Sequence, residues 1–191
     1  MIHAVRLFLL IAFLVPLAGQ AGWDPRRSEP EAVPKTHDEK VRVTIREFLR
    51  KDPDMKIFFD KAYGYAVFPT VGKGGIGIGG AFGKGKVYEK GRWIGDASLS
   101  QLTIGFQLGG QAYSEVIFFR DKAALERFTS GNFAFSAQAS AVAATAGASA
   151  DADYENGVAV FTLAKGGLMY EASIGGQKFG FTPAAEKVSR R

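Results

Sequence analysis

Apolar positions recur along the chain at spacings that change from one stretch to the next, and each spacing predicts its own element. From Glu39 onward, Val41, Ile45, Phe48 and Leu49 fall at helical spacing, with Arg42, Arg46 and Arg50 in an i, i+4, i+8 row beside them. Asp52-Pro53 ends this helix, because proline disfavours helical geometry in the residue before it. The stripe suits either a helix docked on a core or one lying at a lipid headgroup boundary. The aromatic-rich remainder of the chain, on which Phe48 and Leu49 can pack, favours docking. A short second helix is expected from Met55 to Ala62, then a strand Tyr65-Ala66-Val67-Phe68 closed by Pro69.

Strict alternation follows. Leu102, Ile104, Phe106 and Leu108 face one side and Gln101, Thr103, Gly105 and Gln107 the other, and Gly109-Gly110 turns the strand into Ala112 to Phe119 as a long hairpin. Asp121 caps a helix carrying Ala124, Leu125 and Phe128, with Gly131 at its exit. In Phe133 to Asp153 alanine favours helix while a two-residue period favours strand, and strand is the expectation. Gly157 to Ala164, a Lys165-Gly166-Gly167 turn and Leu168 to Ile174 read as another hairpin, followed by Gln177 to Thr182. The fold class is α+β, a mainly antiparallel, curled or barrel-like sheet of roughly seven to nine strands with two or three short helices.

The stretch Gly72 to Gly85 has glycine at eight of its fourteen positions. By parity Ile76, Ile78, Gly80 and Phe82 share one strand face, while Gly75, Gly77, Gly79, Ala81 and Gly83 leave the other nearly bare, as where a backbone, helix or flat ligand approaches closely. Gly83-Lys84-Gly85 reads as a turn into the strand Lys86 to Glu89. Nucleotide motifs fail on context. Gly75-x-Gly77-x-x-Gly80 is followed by no helix opening, and Gly80-x-x-x-x-Gly85-Lys86 continues with Val87 where magnesium needs Ser or Thr.

Residues 1–21 have the build of a secretory signal: His3 and Arg6, an apolar run Leu7 to Val15, and small residues up to cleavage after Ala21. Gln20 stands where a lipoprotein signal requires cysteine, so lipidation there is excluded. Residues 22–38, with Pro25, Pro30 and Pro34, read as an extended tether. One domain is expected over 39–183, with a basic tail at 184–191. Without the signal, 23 Lys and Arg stand against 19 Asp and Glu, a net charge of +4 that suits an anionic membrane surface and is too mild for a nucleic-acid binder.

Catalytic chemistry finds few components. The chain after the signal has one histidine, His37, and no cysteine, so neither a His-assisted nucleophile nor a His/Cys metal site is expected, and no cofactor. Asp96, Glu115 and Glu171 are the carboxylates in or beside strands, and the bland reading of each as a lysine partner or a solvated group is preferred over acid/base work.

Asp52-Pro53, Ala62-Tyr63-Gly64-Tyr65-Ala66-Val67-Phe68-Pro69, the Gly74 to Gly85 run, Gly105 to Gly110 and Ala164-Lys165-Gly166-Gly167-Leu168-Met169-Tyr170-Glu171-Ala172 together resemble the SYLF domain family over about residues 40–182. The resemblance implies an exported, non-catalytic phospholipid-binding module whose partner is an anionic membrane surface. Actin, bound by some eukaryotic members, is not expected, since these residues include no SH3 or FYVE module. On this reading Lys73, Lys84, Lys86 and Arg92, placed near the mouth of the glycine hairpin, meet headgroups while Phe82 or Trp93 enters the interface. Arg42, Arg46 and Arg50 add a second basic strip. Two other readings stand beside it: an envelope scaffold that receives a protein partner, and a barrel carrying a small apolar ligand.

Overall fold

Thr36 closes a capping box that starts the first helix: its Oγ1 accepts from the Glu39 amide at 3.1 Å and the Glu39 carboxylate accepts from the Thr36 amide at 3.0 Å. In the computed structural model, which describes residues 36–76, 78–104, 111–131, 133–136, 139–165 and 172–185, α1 therefore spans His37–Lys51 and begins two residues before Glu39. The expected signal peptide and most of the tether and basic tail lie outside the described residues. Val41, Thr44 and Phe48 are buried and Arg42, Arg46 and Arg50 exposed, so α1 is docked on the protein and turns its arginines to water. Asp52 does more than end it. Its fully buried carboxylate accepts from the amides of Asp54, Gly147 and Ser149, which ties the helix end to a loop far along the chain. A 3-10 turn, Pro53–Met55, leads into α2, Lys56–Lys61.

The strands are β1 (Gly64–Ile76), β2 (Ile78–Glu89), β3 (Arg92–Ile104), β4 (Gln111–Phe119), β5 (Ser140–Ala143), β6 (Val158–Lys165), β7 (Ala172–Ser173) and β8 (Lys178–Pro183), with α3 (Lys122–Thr129) after β4 and capped by Asp121 as expected. Seven of them form one sheet in the order β5-β6-β4-β1-β2-β3-β8, and the two-residue β7 pairs with the outer side of β5. Neighbours run antiparallel except β5 and β6. The class is α+β. The sheet curls without closing: Phe68 on β1 and Phe179 on β8 are three strands apart, about 14 Å in a flat sheet, yet their rings are 5.7 Å apart. One bridge, Ala134 to Lys178, passes β8, and among the described residues no ladder joins the two edges, so the sheet is curled as expected and is not a closed barrel.

Several expected elements differ. Pro69 does not close a strand; β1 runs through it by a bulge between Val67 and Thr70, where the missing N–H costs no ladder bond, and the Ser114 hydroxyl donates to the Pro69 carbonyl at 2.9 Å. The glycine stretch is a hairpin that reverses between Ile76 and Ile78, and β2 continues straight through Gly83-Lys84-Gly85. β3 and β4 do not pair, because β1 and β2 lie between them; the 105–110 connection lies outside the described residues. Among the described residues of the alanine-rich segment only Ser140–Ala143 is strand, and β7 joins β5 and not β6.

The sheet carries a core on each face. The inner one gathers Phe68, Val71, Ala81, Leu99, Tyr113, Ile117, Phe119 and Phe179 with α3. On the outer face Val41, Phe48, Met55 and Phe58 from the N-terminal helices cover Val67, Val116, Phe118 and Phe161. The inner side of β2 is its bare side. A Cβ on Gly85 would stand 2.7 Å from the Phe68 ring and 2.7 Å from the Val67 carbonyl oxygen, and one on Gly83 would stand 3.0 Å from Val71. The apolar parity of this stretch is thereby inverted: Ala81 and the glycines face the core, while Phe82 is 70% exposed.

Glu115 is buried in the inner core, where Gln177 Nε2 donates to it at 3.0 Å and to Tyr113 Oη at 3.0 Å. Burial pushes its pKa up to about 8, only partly opposed by the Gln177 bond. The native state thus keeps a proton that the unfolded chain releases near 4.5, so this group makes stability fall as pH rises from about 4.5 to about 8. Denaturation midpoints of Glu115→Gln and the parent should diverge in favour of the variant across that window; parallel curves would contradict it. Gly85→Ala should lower stability by about 1–3 kcal/mol, whereas Gly72→Ala, with open space around its Cβ, should stay within about 0.5 kcal/mol.

Candidate functional site

Where α1 ends its cover, the outer face of β1–β2–β3 lies open, and here the sheet exposes large apolar side chains. Leu102 is 73% exposed while Gln101 beside it is buried, the reverse of the side the alternation assigns to a core. Gly80 pairs with Leu102 and Phe82 with Ser100, so Phe82 and Leu102 are diagonal neighbours across β2 and β3, about 7–8 Å between Cα positions and within contact reach. The Phe82 ring leans over Gly80, with Cε2 3.2 Å from where a Cβ there would be. Glycine at 80 thus makes room for an aromatic ring lying along the surface.

Between this patch and the first turn of α1 runs an open groove of two adjoining lobes that share His37, Lys84 and Ser98. One lobe holds Lys86, whose ammonium pairs with Asp38 at 2.6 Å and Asp96 at 3.7 Å and sits 4.1 Å above the Trp93 ring. The bond from Lys86 holds the Asp38 carboxyl below the usual carboxylate range. Burial, then the Lys86 charge, lowers His37. The other lobe, about 590 Å³, is lined by Lys40, Lys84, Thr70, Ser98 and Ser100, with Phe82 on its rim and no carboxylate in its wall.

The expected cluster is therefore divided. Lys84 and Phe82 come together on the open face. Lys73, opposite Ala81, lies toward the hairpin tip, whereas Arg92 pairs with Glu89 at the Lys90-Gly91 turn, some eight residues or roughly 26 Å away along β2. Trp93, 42% exposed, donates from Nε1 to the Gly95 carbonyl at 2.8 Å and carries Lys86 on its ring, while Lys86 holds α1 to the sheet through Asp38. Arg42, Arg46 and Arg50 form an exposed row on α1. Lys40, Thr70, Ser98, Ser100 and Leu102 were not foreseen; Leu102 carried a signal, its alternation with Gln101, that pointed to the wrong side. Of the three carboxylates, Asp96 is on the outer face and Glu115 in the inner core, so these two are not brought together; Glu171 lies outside the described residues. Among the described residues no cluster of three or more His, Cys, Asp or Glu fit for a metal occurs, and no helix is long and apolar enough to cross a membrane.

Residues 100–187 match the model of the Ysc84 family, described as Las17-binding protein actin regulator. The chain is also similar to Beta cell expansion factor A of Aeromonas veronii, at 30% identity over 174 residues, covering 82% of this chain and 63% of that protein. It thus spans less than two thirds of that relative's length.

The two lysines of the groove should respond differently to loss of charge. Lys86→Met should raise the pH at which the Asp38 carboxyl titrates in NMR and lower the melting temperature, because it removes the paired ammonium and its contact with Trp93. Lys84→Met should change neither. Equal effects of the two would contradict the division of the groove.

Proposed function

Because the chain belongs, through residues 100–187, to the Ysc84 (SYLF) family, we propose that it is a non-catalytic phospholipid-binding module, exported and associated peripherally with anionic membrane surfaces. The observation that carries this reading is the pairing of Phe82 and Leu102, 70% and 73% exposed, on an uncovered sheet face beside Lys84 and Lys40. Large apolar side chains held together in water are costly unless another phase receives them. Fully burying both would contribute about 3–6 kcal/mol, and each lysine near an anionic surface adds about 1 kcal/mol. Neither share alone makes a firm attachment, so the two are expected to act together.

Lysine chemistry at the patch favours a lipid surface over an apolar partner protein, since the cations flank the apolar pair where phosphates flank the acyl region. The pattern of residues 1–21 supports export. The actin regulation in the family's description is not extended to this chain.

Flotation of the full chain with phosphatidylcholine vesicles, with and without phosphatidylglycerol, at low and high salt tests the proposal. Binding should require the anionic lipid and weaken with salt, which screens exposed charge over about 8 Å at physiological ionic strength. Phe82→Ser with Leu102→Ser should weaken binding at least about tenfold, or 1.4 kcal/mol, with an unchanged melting temperature because both side chains already face water. Full binding by this double variant, or equal binding to neutral vesicles, would overturn it; a stoichiometric complex with a protein in place of vesicle binding would favour the scaffold.

A further inference from the structure

Glu115 and Gln177 meet across the inside of the curled sheet. In the sheet β1, β2 and β3 lie between β4 and β8, yet Gln177, one residue before β8, donates from Nε2 to Glu115 Oε2 and to Tyr113 Oη on β4, both at 3.0 Å. Those two bonds use both amide protons. One oxygen remains on each partner: Glu115 Oε1 and Gln177 Oε1 are buried, and neither meets a donor among the described residues. Two bare acceptors in an apolar core are unfavourable, and a single proton answers both. Placed on Glu115 Oε1, it makes the carboxyl a donor to Gln177 Oε1 and closes a ring of two hydrogen bonds between acid and amide. The surroundings favour that proton. In register Glu115 stands opposite Phe68 of β1 and Thr162 of β6, Tyr113 lies two residues before it on β4, and Gln177 comes from the turn before β8; no ammonium, guanidinium or imidazole among the described residues faces it. Burial pushes the carboxyl up to about 8 and the Tyr113 phenol up as well, so both are neutral at neutral pH.

We propose that Glu115 and Gln177 form a protonated acid–amide latch that holds the turn before β8 against β4, and that loss of the proton opens this side of the sheet. Once ionised, Glu115 Oε1 is an acceptor set against an acceptor, and the ring comes apart. The turn does not move alone. The Phe135 amide donates to the Gln177 carbonyl at 3.0 Å, the Gly176 amide to the Phe135 carbonyl at 3.2 Å and the Phe179 amide to the Phe133 carbonyl at 2.9 Å, so segment 133–135 is tied to the latch through its backbone. Phe133, Phe135 and Ile174 also form part of the wall of a cavity of about 380 Å³ whose opposite wall includes Val158 and Val160 of β6. Release of the latch therefore loosens one wall of that cavity. The opened form binds its proton as an ordinary carboxyl near 4.5 and the closed form holds it up to about 8. Opening accordingly becomes about tenfold more frequent with each pH unit between those values and levels off above them.

Amide hydrogen exchange of the full chain from about pH 5 to about pH 7, corrected for the intrinsic rate, reads the latch directly. Protection of the Phe135, Gly176 and Phe179 amides should fall about tenfold per pH unit, and at every pH it should lie below that of the paired amides of β1 and β2. In Glu115→Gln the new side-chain amide can close the same ring without a titrating proton, so protection of the three amides should stay level across the range. Carbon NMR of the unaltered chain should find the Glu115 carboxyl still protonated at about pH 7, a measurement that needs no variant. A Glu115 carboxyl that titrates below about pH 6 would overturn the latch. So would corrected protection that does not change with pH, an equal slope in Glu115→Gln, or exchange of the three amides only together with those of β1 and β2, which would make the event global unfolding and not a local opening.

Discussion

Contact between the Phe68 ring and the side-chain-free inner surface of β2 is the constraint on which the rest of the structure depends. A ring of that size on a central strand can be enclosed only if the neighbouring strand offers backbone in place of side chains, and Gly85 and Gly83 do so. With Phe68 turned inward against β2 the sheet curls until β8 meets it from three strands away. Once the bare side of β2 is committed to the core, the two-residue period of a strand leaves its other side chains no choice but the outside. Phe82 is exposed for that reason, and Leu102 follows through the β2–β3 register.

The outer face is then shared between a covered and an open part. α1 and α2 take the part over β1, β4 and β6, sealed by Phe48, Phe58, Phe118 and Phe161. Two polar anchors hold α1 there, one at each end: Lys86 grips Asp38 at the first turn, and the buried Asp52 carboxylate collects loop amides at the last. Each anchor satisfies charge by hydrogen bonds at short range, which is the condition under which burying it is tolerable. Lys86 is thereby withdrawn from ligand binding, and the cations available to a ligand are those beyond it.

The division between what was legible in the sequence and what was not follows from the range of the interactions involved. The α1 stripe, the Asp121 cap, the β6 strand and the α+β class rest on local periodicity and capping, and the structure has them. The start of α1 was also local, since Thr36 and Glu39 have capping-box spacing, but the proline-rich stretch before them masked it. Which side of an alternating strand is buried is not local. Leu102 and Gln101 alternate as in any half-buried strand, and only the distant Phe68 contact determines that the glutamine goes in. Pro69 reads as a terminator until the bulge and the Ser114 hydroxyl, 45 residues away, are present to accommodate it. Pairing of β3 with β8 instead of β4 likewise depends on long-range order. Of the candidate site residues, Lys84 and Phe82 were found because the glycine run drew attention to them, whereas Ser98, Ser100 and Thr70 have no signal of their own until three strands align.

An inward glycine face turns an apolar face outward, and the proposed destination of that face is a membrane. Because the chain has no cysteine, a single Leu102→Cys variant can carry a polarity-sensitive fluorophore at the patch, with Ala123→Cys on α3, also exposed, as its counterpart. On addition of anionic vesicles, the emission at Leu102 should shift to the blue while that at Ala123 stays unchanged. A vesicle-bound protein whose label at Leu102 remains as wet as the one at Ala123 would contradict the account.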